Sequence, residues 1–149
     1  MYGFVNDVIA DKGRQVYTIS AAATVRDAVH EMNEKGIGAL VVLRDGKEPG
    51  MFTERDVLHR VVDAGLHPDL TFVGEVMTLA IETVPSSMLV EEAMRLMTIR
   101  RVRHLPVVDD GAIVGLVSIG DLMRRVTMHQ GEELARMSEY IAGAAVIAP

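Results

Sequence analysis

Two short motifs place a hydroxyl three residues before a carboxylate: Thr53 with Asp56, and Ser118 with Asp121. An ionised carboxylate accepts hydrogen bonds from two donors at once, and such charge-assisted bonds are short and strong. A ribose presents two adjacent hydroxyls, so one carboxylate can hold both. If a helix begins at each motif, its free backbone N–H groups also suit a phosphate. The same spacing caps a helix N-terminus, so a structural role competes with the binding role.

Both motifs belong to an internal repeat, in which residues 16–62 align with residues 81–127 at an offset of 65 and without a gap. A repeat of this length is one supersecondary unit used twice. A hydrophobic core explains the repeated apolar residues but does not require Thr18, Asp56, Thr83 and Asp121, which we therefore expect at a binding site. The identical pairs include Thr18/Thr83, Val25/Val90, Ala28/Ala93, Met32/Met97, Leu40/Leu105, Asp45/Asp110, Gly46/Gly111, Gly50/Gly115 and Asp56/Asp121.

Each repeat has the pattern of a strand, a helix, two strands and a closing helix. Thr24 and Asp27 form a capping-box pattern before the first helix. In the second repeat Leu89 replaces the capping residue, so we expect that helix to begin near Ser86 or Ser87. The order predicts an α/β (α+β) fold with two three-stranded sheets packed on helices. The predicted strands are residues 16–19, 39–43, 50–53, 81–84, 105–108 and 113–118.

Further segments lie outside the repeat. An apolar helical face at residues 4–9 is mirrored at residues 72–77, with an offset of about 68. The tail after Gly131 has apolar residues at helical spacing, followed by Ala- and Gly-rich residues that we expect to be frayed. The chain is thus predicted to divide into residues 1–66, 67–129 and 130–149. Each half is small, so we expect the halves to pack together.

The composition excludes several classes of function. The net charge of −6 argues against general nucleic-acid binding. No apolar run reaches the roughly 20 residues that span a bilayer, and no signal peptide is visible. The chain has no cysteine, which agrees with a reducing compartment, and we predict a cytoplasmic protein.

Enzyme and metal signals are weak. The five histidines show no metal-ligand spacing. Gly36 and Gly38 lack the third glycine of a dinucleotide-binding fingerprint, and no phosphate-binding loop motif is present. Ser118 has no adjacent base that could activate it as a nucleophile. We therefore predict a protein that is not an enzyme and that requires no cofactor.

Longer motifs resemble the cystathionine β-synthase (CBS) domain, and the resemblance covers about residues 5–129. The second repeat carries Glu92-Ala93-Met94-x-x-Met97, Arg103-His104-Leu105-Pro106-Val107-Val108-Asp109 and Gly115-Leu116-Val117-Ser118-x-x-Asp121-Leu122. The first repeat carries Asp27-Ala28-x-x-x-Met32 and Gly50-Met51-Phe52-Thr53-x-x-Asp56. Two such domains in tandem form a CBS pair, and the tail resembles that of small stand-alone CBS-pair proteins.

The resemblance implies a pseudo-two-fold pair with two clefts for adenosine compounds: AMP, ADP, ATP, NAD or S-adenosylmethionine. In the family, each cleft takes its ribose motif from one repeat and its adenine wall from the other, and the two threonines Thr18 and Thr83 would meet the adenine edge. One cleft would comprise Thr18, Ala23, Ile37, Gly38, Ala39, Ser118 and Asp121. The other would comprise Thr83, Met88, Val102, Arg103, His104, Thr53 and Asp56.

The two clefts are not expected to be equal. Basic residues lie on the approach to the Asp56 cleft: Arg55, His59, Arg100, Arg101, Arg103 and His104. We therefore expect that cleft to hold phosphates more tightly. The Asp121 cleft is expected to take a neutral extension or to rely on Arg124 and Arg125. Gly38 leaves room there, which would help a dinucleotide such as NAD to fit.

The leading hypothesis is a regulatory sensor that binds AMP, ATP or NAD and signals to an unidentified protein partner, as a homodimer. One alternative is a dimeric interaction or scaffold protein with vestigial clefts. Another is a sensor of S-adenosylmethionine. An enzyme acting on nucleotides has the least support, because the sequence shows neither a general base nor a metal site.

Overall fold

The structure, a computed structural model, describes the backbone of residues 1–147 and the side chains of residues 1–143. Residues 15–82 form one compact unit, called the first unit here. Residues 1–14 join the chain from Thr83 onward in a second unit. In chain order the elements are α1 (Val5–Lys12), β1 (Thr18–Ser20), α2 (Val25–Lys35), β2 (Ala39–Leu43), β3 (Gly50–Thr53), α3 (Glu54–Asp56), a π-helical segment (Val57–Val62), α4 (Val73–Val76), α5 (Val90–Arg100), β4 (His104–Asp109), β5 (Ala112–Ser118) and α6 (Ile119–Ile147).

The first unit contains a three-stranded sheet, as predicted. Strand β1 pairs in parallel with β2, and β2 pairs antiparallel with β3. Helix α2 begins as predicted, because the Thr24 hydroxyl accepts a hydrogen bond from the Asp27 N–H and the Asp27 carboxylate accepts one from the Thr24 N–H. Helix α4 completes the core with Val73 and Val76, although it lies outside the repeat.

The second unit has a two-stranded sheet, so the prediction of three strands is wrong for this repeat. Strands β4 and β5 pair antiparallel, and Val84 adds only an isolated parallel bridge to Val107. The next residue, Pro85, has no N–H to extend a ladder. Its counterpart in the first repeat is Ser20, which lies in β1.

The start of helix α5 and the extent of the last helix also differ from the predictions. Helix α5 begins at Val90 with Leu89 as its N-cap, rather than near Ser86. Ser86 is instead bound to Asp109, whose carboxylate accepts a hydrogen bond from the Ser86 N–H at 3.0 Å. Helix α6 continues through Gly131 and reaches Ile147, so the closing helix and the tail are one helix. The last two residues of the predicted frayed end, 148 and 149, lie outside the described residues.

The division of the chain at residues 66 and 129 stays a prediction, but the compact units show which core each leading helix joins. Helix α1, which precedes the first repeat in sequence, packs Val5, Val8 and Ile9 into the core of the second unit. Helix α4, which precedes the second repeat, packs into the core of the first unit.

A repeated glycine gives each of these segments its close approach to a strand. A Cβ atom at Gly115 would lie 2.8 Å from Ile9 Cδ1, and a Cβ atom at Gly50 would lie 2.8 Å from the Thr78 carbonyl oxygen. Real Cβ atoms essentially never come that close. The identity Gly50/Gly115 is therefore explained by packing.

Replacement of Gly115 by alanine should destabilise the protein by about 1–3 kcal/mol, because the new methyl group must displace the buried Ile9. Denaturant unfolding should show a lower midpoint at unchanged m-value. The matched control is Gly131→Ala, since nothing lies near that position in helix α6. Alanine there should raise the free energy of unfolding by up to about 1 kcal/mol. Equal effects of the two substitutions would contradict the packing explanation.

Candidate functional site

Each hydroxyl–carboxylate motif lies at a junction between a strand and a helix. Asp56 Oδ2 accepts a hydrogen bond from the Thr53 N–H at 3.0 Å, and the Thr53 hydroxyl accepts one from the Asp56 N–H at 3.4 Å. The same pair of bonds joins Ser118 and Asp121, at 2.9 and 3.1 Å. The capping interpretation is therefore confirmed for both motifs. The caps also hold each carboxylate beside the first turn of a helix, where N–H groups favour negative charge.

Asp56 is buried and surrounded by donors within the first unit. Only 5% of the residue is exposed. The Thr78 hydroxyl donates to Asp56 Oδ1 at 3.0 Å. Arg60 Nε lies 3.6 Å from the same oxygen, while Arg60 Nη1 donates to the Met77 carbonyl at 2.8 Å. Arg60, in the π-helical segment, thus offsets the charge of Asp56. Thr78, in the chain that follows α4, orients the carboxylate.

Asp121 has a different partner, the ammonium group at the end of α1. Lys12 Nζ donates to Asp121 Oδ2 at 2.7 Å and to the Leu116 carbonyl oxygen at 2.9 Å. The Asp121 side chain is 13% exposed and that of Lys12 is 32% exposed. The carboxylate therefore has a close cationic partner that solvent and solutes can still reach.

The electrostatics of this pair shift the titration of Asp121. Burial alone raises the pKa of the carboxyl group, but the Lys12 ammonium and the hydrogen bonds from Lys12 and Ser118 outweigh burial and lower the pKa below its ordinary value. Asp121 is therefore held as a carboxylate, the form that accepts two hydrogen bonds.

Several predicted site residues come together within each unit. In the first unit Ala39 lies opposite Thr53 in the sheet, and the Gly38 carbonyl accepts a hydrogen bond from the Glu54 N–H. A Cβ atom at Gly38 would lie 3.1 Å from the Glu54 carboxyl carbon. The expectation of spare room at Gly38 is therefore wrong, because the Glu54 side chain fills that space.

The second unit brings the corresponding residues together. His104 lies opposite Ser118 in the sheet, and the Arg103 carbonyl accepts a hydrogen bond from the Ile119 N–H at 2.9 Å. Of the other predicted residues, Ile37, Met88 and Val102 pack against the hydrophobic cores. Thr18 begins β1, Ala23 lies just before α2, and Thr83 precedes the bridge of Val84 to Val107. Their assignment to ligand contacts, and the pairing of the two repeats at each ligand, stay predictions.

Sequence reasoning missed three side chains next to the carboxylates: Lys12, Arg60 and Thr78. Lys12 and Thr78 follow the apolar faces of α1 and α4, which is the only signal that the sequence offers. Arg125, expected to serve the Asp121 site, instead donates to the Tyr2 carbonyl at 2.9 Å and to Asp11 at 3.3 Å. Arg125 is thus hydrogen-bonded to the N-terminal segment.

With this geometry in place, the chain can be assigned to a family. The model of the CBS domain matches residues 5–63 and again residues 73–127. The chain belongs to the CBS domain family and carries a tandem pair, which confirms the resemblance noted in its motifs. Proteins of this kind are generally regulatory or sensor modules.

Relatives agree with this assignment. A mitochondrial CBS domain-containing protein of Arabidopsis thaliana is 38% identical over 148 residues, which cover 93% of this chain and 72% of that protein. A CBS domain-containing protein of Bacillus subtilis is 36% identical, over 72% of this chain and 76% of that protein. A solved structure of a putative signal-transduction protein with CBS domains from Burkholderia ambifaria matches with a TM-score of 0.79 and 42% identity, over 83% of this chain and 93% of that one.

Two further findings concern the described residues alone. They include no cluster of three or more histidine, cysteine or acidic side chains that could hold a metal ion. Within the same part of the chain, no helix combines the length and the apolar character needed to cross a membrane.

Replacement of Lys12 by methionine should raise the pKa of Asp121, because burial then acts without the ammonium. Since the folded pKa lies below the unfolded one, the stabilisation from this pair is present above the unfolded pKa and is lost as the pH falls through the folded pKa. The free energy of unfolding of wild type should therefore exceed that of Lys12→Met by about 1 kcal/mol at neutral pH, and this difference should vanish in acid.

NMR titration of the Asp121 carboxyl carbon and denaturant unfolding across pH measure the two effects. The matched control is Lys47→Met, in the exposed turn before β3. A pKa of Asp121 that is the same in wild type and Lys12→Met would contradict the predicted coupling.

Proposed function

We propose that this CBS pair is a regulatory sensor of adenosine nucleotides, with AMP, ATP or NAD as its ligand. The observation that carries the proposal is the duplicated carboxylate, which lies at a helix N-terminus in both units with little of its side chain exposed. A stable fold needs the cap, but a cap does not need the carboxylate to be surrounded by further donors. The second set of donors supports a role of both carboxylates as acceptors for hydroxyl or ammonium groups.

The chemistry of Asp56 supports ribose as the group that is bound. Asp56 Oδ1 already accepts a hydrogen bond from a hydroxyl, that of Thr78, at 3.0 Å. A ribose hydroxyl offers the same donor, so the exchange of one for the other conserves the bond. The neighbouring helix N-terminus suits the phosphate of the same ligand.

Further roles follow from the family resemblance. Thr18 and Thr83 would contact the adenine edge, and the residues around Ile37–Ala39 and Val102–His104 would form the adenine walls. Arg103 and His104 would contact phosphate. An adenosine ligand would shift the protein between two arrangements if it binds one of them more tightly, since only that difference moves the equilibrium. The unidentified protein partner would respond to the shift, and we propose a cytoplasmic homodimer.

A second candidate is a dimeric interaction protein whose carboxylates have only their capping role. It is favoured by the exposed apolar residues of the second half of α6: Leu134, Met137, Tyr140 and Ile141. A sensor of S-adenosylmethionine would use the same carboxylates, and the choice of ligand distinguishes it from a nucleotide sensor.

Asp56→Asn and Asp121→Asn should each remove one binding event for the cognate nucleotide, weakening that site by about 10–100-fold through the loss of charge-assisted hydrogen bonds. Titration calorimetry with AMP, ATP, NAD and S-adenosylmethionine on the purified, ligand-free protein measures the effect. Circular dichroism of both variants checks that the fold is retained.

The matched controls are Asp45→Asn and Asp110→Asn, because these aspartates are repeated at the same offset but lie in the turns between strands. They should leave binding unchanged. Wild-type protein that binds none of the four compounds would favour the interaction protein and refute the sensor.

A further inference from the structure

The two repeated carboxylates have donors of different charge. At Asp56 the close donor from outside the repeat is a neutral hydroxyl, Thr78 Oγ1, at 3.0 Å, and the guanidinium of Arg60 stands farther away at 3.6 Å. At Asp121 it is an ammonium group, Lys12 Nζ, at 2.7 Å. Thr78 follows α4 much as Lys12 ends α1, so the two donors reach their carboxylates from comparable positions in the two units.

This difference changes what a ligand must do on binding. A ribose hydroxyl that replaces Thr78 on Asp56 exchanges one neutral donor for another. A ribose that replaces Lys12 on Asp121 exchanges an ion pair for a hydrogen bond from a neutral donor and leaves an ammonium group without its carboxylate. A neutral nucleoside is therefore disfavoured at Asp121 unless the ligand supplies a new anion for Lys12.

We propose that Lys12 makes the Asp121 site selective for phosphorylated nucleosides: the ribose takes the carboxylate, and the released ammonium group binds the phosphate. The inference rests on the proposed function and specifies the class of ligand at one of its two sites. It replaces the expectation that the Asp121 site takes a neutral extension. That expectation came from a comparison of the basic residues predicted at the two clefts, which did not include Lys12.

The surroundings of Lys12 suit this exchange. Its side chain is a third exposed and sits on a flexible four-carbon stem, so the ammonium group can turn from Asp121 toward a ligand. Its second acceptor is the Leu116 carbonyl, a neutral group. Arg125, four residues after Asp121, is already bound to Asp11 and to the Tyr2 carbonyl. Lys12 combines access with a hydrogen bond to the carboxylate.

The test compares AMP with adenosine in the Asp56→Asn background, so that only the Asp121 site reports. Titration calorimetry gives both affinities for this protein and for versions that also carry Lys12→Met, Lys12→Gln, Lys12→Arg or the control Lys47→Met. Without a Lys12 substitution, AMP should bind at least about tenfold more tightly than adenosine. Lys12→Met and Lys12→Gln should lower the AMP-to-adenosine preference by about tenfold, with weaker AMP and tighter adenosine. Lys12→Arg and Lys47→Met should retain it.

Each other outcome overturns the inference. A preference that Lys12→Met and Lys12→Gln leave unchanged, even if both affinities move together, assigns Lys12 a structural role only. If the Asp56→Asn protein binds neither compound while Asp121→Asn still binds AMP, the inference fails and the proposed function survives at Asp56. If wild-type protein binds neither compound, the inference fails, and the proposed function fails with it only if ATP, NAD and S-adenosylmethionine do not bind either.

Discussion

The packing of a flanking segment against a strand glycine positions the donor from outside the repeat at each of the two carboxylates. Ile9 of α1 lies where a side chain at residue 115 would stand, and the backbone of Thr78 lies where one at residue 50 would stand. A larger residue at either glycine would hold the segment away from the sheet. Thr78 itself makes one of these contacts, and Lys12 lies three residues after Ile9, which makes the other. The close approach that buries the apolar residues therefore also places a donor beside each carboxylate.

The caps then determine what these donors meet. A backbone N–H from Thr53 or Ser118 fixes one carboxylate oxygen in each unit, which limits the directions from which a further donor can bind. Burial would favour the neutral acid, and the donors reverse that preference at Asp121. At Asp121, hydrogen-bond donors therefore surround an ionised group. This is the environment in which a ribose hydroxyl gains most from a carboxylate.

The sequence allowed prediction of the features whose causes are local. The repeat located both carboxylates, and the capping pattern located the start of α2. Long-range features were not predictable in this way. Lys12 and Asp121 are 109 residues apart in the chain, and no local pattern connects them. The prediction of a third strand in the second sheet was wrong because Pro85 has no N–H to continue the ladder, although the preceding residues have a strand-like pattern. The sequence also did not indicate that the closing helix and the tail form one helix, in which Gly131 has a helical backbone.

The two donors that distinguish the carboxylates lie outside the duplicated span, since Lys12 precedes residue 16 and Thr78 precedes residue 81. A duplication that copied the core, the caps and the carboxylates together would produce twin acceptors with one shared chemistry. The flanking segments differ in length, and a substitution of Lys12 or Thr78 changes a single donor, whereas the apolar residues of the same segments belong to the cores. Divergence of the twins could therefore proceed in the flanks while the duplicated scaffold stayed fixed, and one ancestral acceptor could come to serve two different ligands.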